Sequence, residues 1–468
     1  MTELPASLRG RVLVAGAGVS GRGCVAMLTS LGVDTTVADS NQAALEALAE
    51  DYGVATVPVD SAAQSEFDLV VTSPGWRPDS PLLLAFQNAG VEVIGDVELA
   101  YRLDRSGVFG APRTWLVVTG TNGKTTTTGM LAKIMQADAA RTGKRALAVG
   151  NIGVSLFDAL TATPRVDVLC AELSSFQLHW SSQLRPDVGV LLNLAEDHLD
   201  WHGSFDAYAQ DKAKVLGGQA AVVGKDDAAA VGYAAGTADL YGFTAADPAQ
   251  GEVGVNAGRL ISRLTQERED LASAEGIEPA GSAGVLDAAA AASVARLAGA
   301  TPQSIAQGLA AYTVAGHRGA VVHEHADITF IDNSKATNPH AADAALKGLN
   351  SVVWVAGGQL KGAEVDRLVA KHAAQIKAAV VMGVDREEIA HALAEHAPHA
   401  PVDVIESSEP SAAMNAAVRA ALQHAEAGDT VLLAPAAASL DMYTGMAQRG
   451  DFFAAAAREL TPQIELEN

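Results

Sequence analysis

Residues 119–125, Thr119-Gly-Thr-Asn-Gly-Lys-Thr125, put two glycines, a lysine and hydroxyls into one tight stretch. That set suits a nucleotide triphosphate. Gly120 and Gly123 let backbone N–H groups approach phosphate oxygens, and a helix starting there adds its partial positive charge. Thr121, Asn122 and Thr126 belong to the same cradle. Lys124 can reach the terminal phosphates, and the Thr125 hydroxyl can ligate Mg²⁺. The strict phosphate-loop pattern begins with a glycine where this chain has Val118, so the match is imperfect. Glu172 follows the apolar run Val166 to Ala171. A carboxylate at such a strand end, opposite a phosphate turn, is placed to ligate Mg²⁺ or hold a water on it. His198, in Asp197-His198-Leu-Asp200, and Lys212 trail a strand end in the same region. From the residues alone they read equally as surface polarity.

Two further sets flank this one. Gly16-Ala-Gly18-Val-Ser-Gly21, with Asp39 about 20 positions on, is the dinucleotide-binding fingerprint. Alone it predicts an NAD-type Rossmann domain, although the same turn can hold any diphosphate, including that of a UDP-sugar. Near the C-terminus lie His317-Arg318, Asp332-Asn333-Ser-Lys335-Ala-Thr337-Asn338, Gly357-Gly358-Gln-Leu-Lys361 and Ser439-Leu440-Asp441. Ser439 and the N–H groups around it can bind a carboxylate. Lys361 and Ser439 also fit ordinary loop chemistry.

These residues need strands that end where they sit. Short apolar runs precede each set: Arg11 to Gly16, Thr35 to Ala38, Leu69 to Thr72, Val91 to Ile94, Trp115 to Val118, Ala146 to Val149, Val188 to Leu192, Ile328 to Ile331, Val352 to Ala356, Ala379 to Met382, Val402 to Ile405 and Thr430 to Leu433. Helical periodicity alternates with them, clearest at Met130, Leu131, Ile134 and Met135 and over Val285 to Leu297. Residues 225–283 give few signals and read as short strands and turns. Alternating strands and helices predict an α/β chain of three domains. They are 1–110, Rossmann-like; 111–315, a P-loop-type mononucleotide-binding domain; and 316–468, again Rossmann-like. Residues 105–113 read as a linker.

At 468 residues the chain exceeds one ordinary core. A formal net charge of −23 argues against nonspecific nucleic-acid or anionic-membrane binding. Two cysteines, Cys24 and Cys170, are too few for a disulfide framework, so a cytoplasmic location is expected. No apolar run approaches the roughly 18–20 residues of a membrane span, and the early apolar patch Val12 to Val19 reads as strand and turn rather than as a signal peptide.

Together the motifs resemble the Mur ligase family, over about Arg11 to Phe453. The stretches that carry the likeness are Thr119–Thr125, Glu172-Leu-Ser-Ser-Phe-Gln177, Asp197–Asp200, His317-Arg318, Ser334-Lys335-Ala-Thr337-Asn338, Leu433–Asp441 and Gln448-Arg449-Gly450. Ser334–Asn338 points to the branch that adds D-glutamate. The resemblance implies an ATP-dependent amide ligase of peptidoglycan precursor synthesis. It implies UDP-N-acetylmuramoyl-L-alanine and D-glutamate as substrates, ATP and two Mg²⁺ sites, and a monomer. By the same resemblance Lys124, Glu172, His198, Lys212 and Lys335 are the catalytic residues. Thr125, Glu172, His198 and Lys212 serve the metal, with Lys212 carbamylated by CO₂. Asn151, His317, Arg318 and Asn333 lie by the nucleotide. Lys335, Thr337, Lys361, Ser439 and Leu440 surround D-glutamate. Val19, Ser20, Asp39, Ser40, Ser73 and Gly75 form the UDP pocket. The chain departs from the family at Ala283-Gly284, where His-Asn is usual, at Asp287, where another asparagine is, and at Asn333, where Asp is common, with Asp332 one place earlier. Asn41 stands where a basic residue sometimes follows the acidic end of the second strand, and Met446 replaces an aromatic residue near the C-terminal glutamate site. Another amino-acid ligase of the family, an NAD-dependent oxidoreductase and a non-catalytic relative remain the competing classes.

Overall fold

A computed structural model describes residues 4–279, 281–314 and 316–464. The chain forms two compact units, Met1–Leu194 with Asp206–Tyr312, and Ala195–Phe205 with Thr313–Asn468.

The first unit holds two sheets. The N-terminal sheet runs, in spatial order, Ala55–Val57, Thr35–Ala38, Val12–Ala15, Leu69–Thr72 and Glu92–Gly95, all parallel. Its three inner strands are buried along their whole length, as parallel strands covered on both faces must be. The strand order reverses between Val12–Ala15 and Leu69–Thr72, and a ligand crevice opens beyond the carboxyl ends at such a point.

The second sheet has nine strands: Glu269–Ser273, Arg259–Ser262, Glu252–Asn256, Leu240–Phe243, Ala220–Gly224, Val188–Leu191, Thr114–Thr119, Val168–Glu172 and Ala146–Gly150. It is parallel from Ala146–Gly150 through Glu252–Asn256, and the last two pairings are antiparallel. The weakly patterned region 225–283 thus builds the sheet's far edge, and also a short helix, Ala228–Tyr233, capped by the Asp227 side chain. The helix Lys124–Thr142 packs Met130, Leu131 and Ile134 into the core with the alanine-rich helix Ser282–Leu297. Small residues let the helices approach closely. A side chain at Gly308, on helix Pro302–Ala310, would collide with the backbone of Ile134.

The stretch read as a linker is pinned at its end. Helix Asp96–Arg105 is buried from Asp96 to Asp104. Arg113, itself buried, donates to Asp104 Oδ1 at 2.7 Å, to the Leu160 carbonyl at 2.7 Å and to the Val166 carbonyl at 2.9 Å. Trp115 Nε1 donates to Asp104 Oδ2 at 2.9 Å. Arg102, on the same helix, bridges Glu98 and Glu92. These bonds tie the N-terminal sheet's last helix to the nine-stranded sheet.

The second unit carries six strands in the order Ala320–His325, Ile328–Asp332, Thr430–Leu433, Val352–Gly357, Ile376–Met382 and Val402–Val404. All pairs are parallel except the first, an antiparallel hairpin. Apolar clusters cover both of its faces. The architecture is the α/β one expected. Strand ends differ from the expected ranges by one to three residues, and the run read as Val166 to Ala171 is Val168–Glu172, which puts Glu172 on the strand itself. Among the described residues no helix is long and apolar enough to cross a membrane.

Removing one partner of a buried ion pair strands the other. Arg113→Met should therefore destabilise the protein by about 3–5 kcal/mol in urea denaturation. Adding Asp104→Asn should recover a large part of that loss, because no charge is then left unpaired.

Candidate active site

In the first unit the phosphate turn sits where four parallel strands end together. Val118 pairs with Glu172, Gly150 with Glu172, and Thr119 with Leu191. Gly120 and Gly123 take φ values of +155° and +81°, and Gly123 caps the helix Lys124–Thr142. A side chain at Gly123 would enter a left-handed conformation and strike Asp287, which also accepts a hydrogen bond from Thr127 at 3.2 Å. Asp287 therefore borders the turn.

Lys124 Nζ donates to the carbonyls of Gly120 at 3.0 Å and Thr121 at 2.8 Å. Lys212 is only 2% exposed, and its Nζ donates to the same Gly120 carbonyl at 2.8 Å. That ammonium also lies 4.9 Å from the centre of the Tyr208 ring. The Tyr208 hydroxyl shares a hydrogen bond of 2.9 Å with Thr121 Oγ1. Gly120, Thr121, Lys124 and Lys212 are thus brought together. Thr125 and Thr126 begin the helix beside them.

Glu172 is 2% exposed. Its Oε1 accepts the Asn151 amide at 2.9 Å, and Asn151 N–H donates to the Glu172 carbonyl at 2.9 Å. Its buried Oε2 has no hydrogen-bond partner. A buried carboxylate oxygen left unsatisfied is costly unless a cation meets it. A carboxylate oxygen is a donor of the type that suits Mg²⁺.

At the N-terminal sheet, Asp39 Oδ2 accepts the Ala17 N–H at 2.6 Å and Oδ1 the Asn41 N–H at 2.8 Å. Both carboxylate oxygens thus fasten the glycine turn to the chain's own backbone, where the dinucleotide fingerprint would have them meet a ribose. A side chain at Gly16 would press on Ser73 Oγ, a buried hydroxyl with no partner. Ser20 begins the helix after the turn, Val19 is 93% exposed, and Ser40 and Gly75 are exposed beside them.

In the second unit, Asp197 Oδ1 stands 3.6 Å from His198 Nε2, and His198 takes a left-handed φ of +54°. The Asn338 amide reaches the other Asp197 oxygen at 3.4 Å. His317, also left-handed, pairs its Nδ1 with buried Asp332 at 2.6 Å. Its carbonyl accepts the Lys335 N–H at 3.1 Å. Arg318 follows it, and Asn333 N–H bonds the Leu433 carbonyl at 2.8 Å. Arg449, 1% exposed, gathers the loops that carry Lys335, Lys361 and Ser439. It donates to Ser334 Oγ at 3.0 Å and Ser334 O at 2.9 Å, to Gly357 O at 3.2 Å and to Ala437 O at 3.1 Å. Burial among carbonyls pushes its guanidinium down to about 10. Ser439 is buried, Leu440 is 68% exposed, Lys361 and Thr337 are half-buried, and Lys361 has φ +55°.

Three family models match the chain in order. They are the MurD-like N-terminal domain of Mur ligases over residues 10–95, the Mur ligase middle domain over 118–257, and the Mur ligase glutamate ligase domain over 317–437. A protein of Corynebacterium diphtheriae, named UDP-N-acetylmuramoylalanine–D-glutamate ligase, is 58% identical over 458 residues, 96% of either chain. One of Corynebacterium efficiens with the same name is 56% identical over 97% of this chain and 96% of its own length. This chain belongs to the Mur ligase family. The fold agrees: MurF from Acinetobacter baumannii superposes with a TM-score of 0.59 at 16% identity, over 98% of this chain and 93% of that one. A pseudomurein peptide ligase type C from Methanothermus fervidus gives 0.56 at 17% identity, over 97% and 100%.

Four residues of this Mur ligase make contacts that no motif announces. Arg449 lies in the stretch Gln448–Gly450 and Tyr208 four residues before Lys212, but a buried hydroxyl or guanidinium shows its partners only in three dimensions. Asn193 directly follows a strand that was read, yet an isolated asparagine carries no spacing signal. Asp96 opens a helix beyond the N-terminal crevice. Burial pushes its carboxyl up to about 6, against hydrogen bonds from Val97 N–H, Ser20 and Gln177 that pull it down.

A carboxyl raised from its ordinary 3.8 destabilises the fold when ionised. The penalty is absent well below that value, grows with pH, and is complete above the folded value. Asp96→Asn should therefore raise the melting temperature relative to the parent protein more at about pH 7.5 than at about pH 4.5, measured by scanning calorimetry at both.

Proposed function

We propose that this Mur ligase joins D-glutamate to UDP-N-acetylmuramoyl-L-alanine, consuming ATP, in peptidoglycan precursor synthesis. The observation that carries the chemistry is the Gly120–Thr125 turn, with Lys124 on it and the unpaired Glu172 oxygen at the next strand end. The relatives' shared name supports the choice of substrates. The enzyme acts as a monomer in the cytoplasm, on small molecules and not on nucleic acid or membrane. Domain boundaries at 1–110, 111–315 and 316–468 belong to the same proposal.

A carboxylate is a poor electrophile, so it must be activated before an amine can attack it. The alanyl carboxylate attacks the γ-phosphorus of ATP, giving an acyl phosphate and ADP. The D-glutamate amine then attacks the acyl carbon, and phosphate leaves from the tetrahedral intermediate. Every reactant is anionic, and stabilising developing negative charge is the main task of such a site. Lys124 exchanges its two loop carbonyls for phosphate oxygens. Gly120, Thr121, Asn122, Gly123, Thr125 and Thr126 shape the cradle, and Asn151, His317, Arg318 and Asn333 border the nucleotide. Magnesium, at two sites, would supply further positive charge to the phosphate oxygens. Thr125, Glu172 and a carbamylated Lys212 would hold it, and His198 is carried over as a ligand from its motif. Carbamylation would turn the Lys212 ammonium into an oxygen donor of the kind Mg²⁺ prefers. Lys335, Thr337, Lys361, Ser439 and Leu440 hold D-glutamate. Val19, Ser20, Asp39, Ser40, Ser73 and Gly75 receive the UDP moiety, with Asp39 acting through the turn it fastens.

Mass spectrometry of reactions containing UDP-N-acetylmuramoyl-L-alanine and ATP should show an adduct with D-glutamate and none with L-alanine, L-lysine or diaminopimelate. Product from another of these amino acids, and not D-glutamate, would overturn the assignment. Lys124→Ala should keep its fold by circular dichroism and lose about 10²–10³ in rate. Lys212→Ala should be inactive and partly recover with added short carboxylates; full activity without them would contradict the carbamate.

A further inference from the structure

The turn at Gly120–Gly123 is held from outside. Asn193 Oδ1 accepts the Asn122 N–H at 2.8 Å, and Asn193 Nδ2 donates to the Asn122 carbonyl at 3.1 Å. The Asn193 backbone carbonyl accepts the Thr121 N–H at 3.0 Å. One residue earlier, Leu192 N–H bonds the Thr119 carbonyl at 2.9 Å. The pairing of Thr114–Thr119 with Val188–Leu191 thus continues past the sheet's edge, and the Asn193 side chain supplies its last step. A carboxamide carries both a donor and an acceptor, so it can answer both polar groups of one backbone residue. A carboxylate would keep only the acceptor, and alanine neither. The fit is close. A Cβ at Gly120 would fall 2.8 Å from Leu192 Cβ and 3.3 Å from Asn193 N, so the two segments have little room to slip.

We propose that Asn193 is a positioning residue for the nucleotide. It holds the Asn122 peptide so that Gly123 starts the helix and Lys124 is aimed into the cradle before ATP arrives. The Thr121 and Asn122 N–H groups are consequently engaged by the chain and are not phosphate donors. The inference rests on the turn being the ATP site, and it adds a residue that makes no contact with the ligand itself. Holding a site in its productive geometry by a supporting shell is what separates a tight site from a loose one.

The test is calorimetric titration of MgATP into the full-length enzyme, with steady-state KM and kcat for all three substrates. Asn193→Ala should weaken MgATP binding and raise the ATP KM by about tenfold to hundredfold, since two hydrogen bonds shaping the turn are lost. The KM values for D-glutamate and the UDP substrate should stay within about twofold. A role confined to stability would move the melting temperature without this split. Should Asn193→Ala fail to fold, Asn193→Asp decides. It keeps the shape and the acceptor but turns an oxygen toward the Asn122 carbonyl, so MgATP binding should fall at least as far. MgATP affinity unchanged in the folded variant, or an equal rise in all three KM values, would overturn the proposal. Failure of the unsubstituted enzyme to bind MgATP would overturn the nucleotide reading beneath it.

Discussion

A single carbonyl oxygen, that of Gly120, accepts hydrogen bonds from two lysine ammonium groups, Lys124 at 3.0 Å and Lys212 at 2.8 Å. Two like charges drawn to one neutral acceptor repel each other, and most strongly where water is scarce. The Tyr208 ring face and the Thr121 carbonyl relieve part of that charge. A polyanion would relieve far more. On the adjoining strand, the unsatisfied Glu172 oxygen calls for a cation. The site thus gathers two ammonium groups on one carbonyl and leaves a buried carboxylate oxygen without a hydrogen bond on the adjoining strand, a set that suits a metal–triphosphate complex.

That condition is imposed by the fold. Lys124 reaches Gly120 because the chain reverses within a few residues from strand to helix, through two glycines with positive φ. Lys212 meets the same carbonyl from helix Phe205–Ala213. Glu172 is held at its level by pairing with Val118 on one side and Gly150 on the other. Shifting a strand by one residue would turn Glu172 to the opposite face. The buried Asp104–Arg113 pair and Trp115 fix the start of the central strand, so the register is secured at both of its ends.

Much of this was legible from residue order. Gly120, Gly123, Lys124 and Thr125 announce their chemistry by spacing alone, and the apolar runs before them fix strand and fold class. Glu172 was legible because carboxylates are rare at the end of a buried strand. What stayed hidden depends on partners distant in sequence. Asp104 and Arg113 looked like ordinary charges around a glycine-rich linker. Arg449 lies in a stretch that carries the family likeness, yet nothing in its spacing shows that it is buried against carbonyls of three loops. The strands from Leu240 to Ser273 pair near the sheet's edge, where half-exposed positions blur the apolar alternation. Asp39 shows the reverse case. Its spacing announces a ribose ligand, while its oxygens are turned onto the backbone of its own glycine turn.

If one charged cradle organises the molecule, a crystal structure with Mg²⁺ and a non-hydrolysable ATP analogue tests it most directly. The account predicts the terminal phosphates at hydrogen-bond distance from Lys124 Nζ, with that lysine released from the Gly120 and Thr121 carbonyls and the Gly120–Gly123 backbone unmoved. A nucleotide bound elsewhere, or Lys124 still on those carbonyls with the analogue in place, would contradict it.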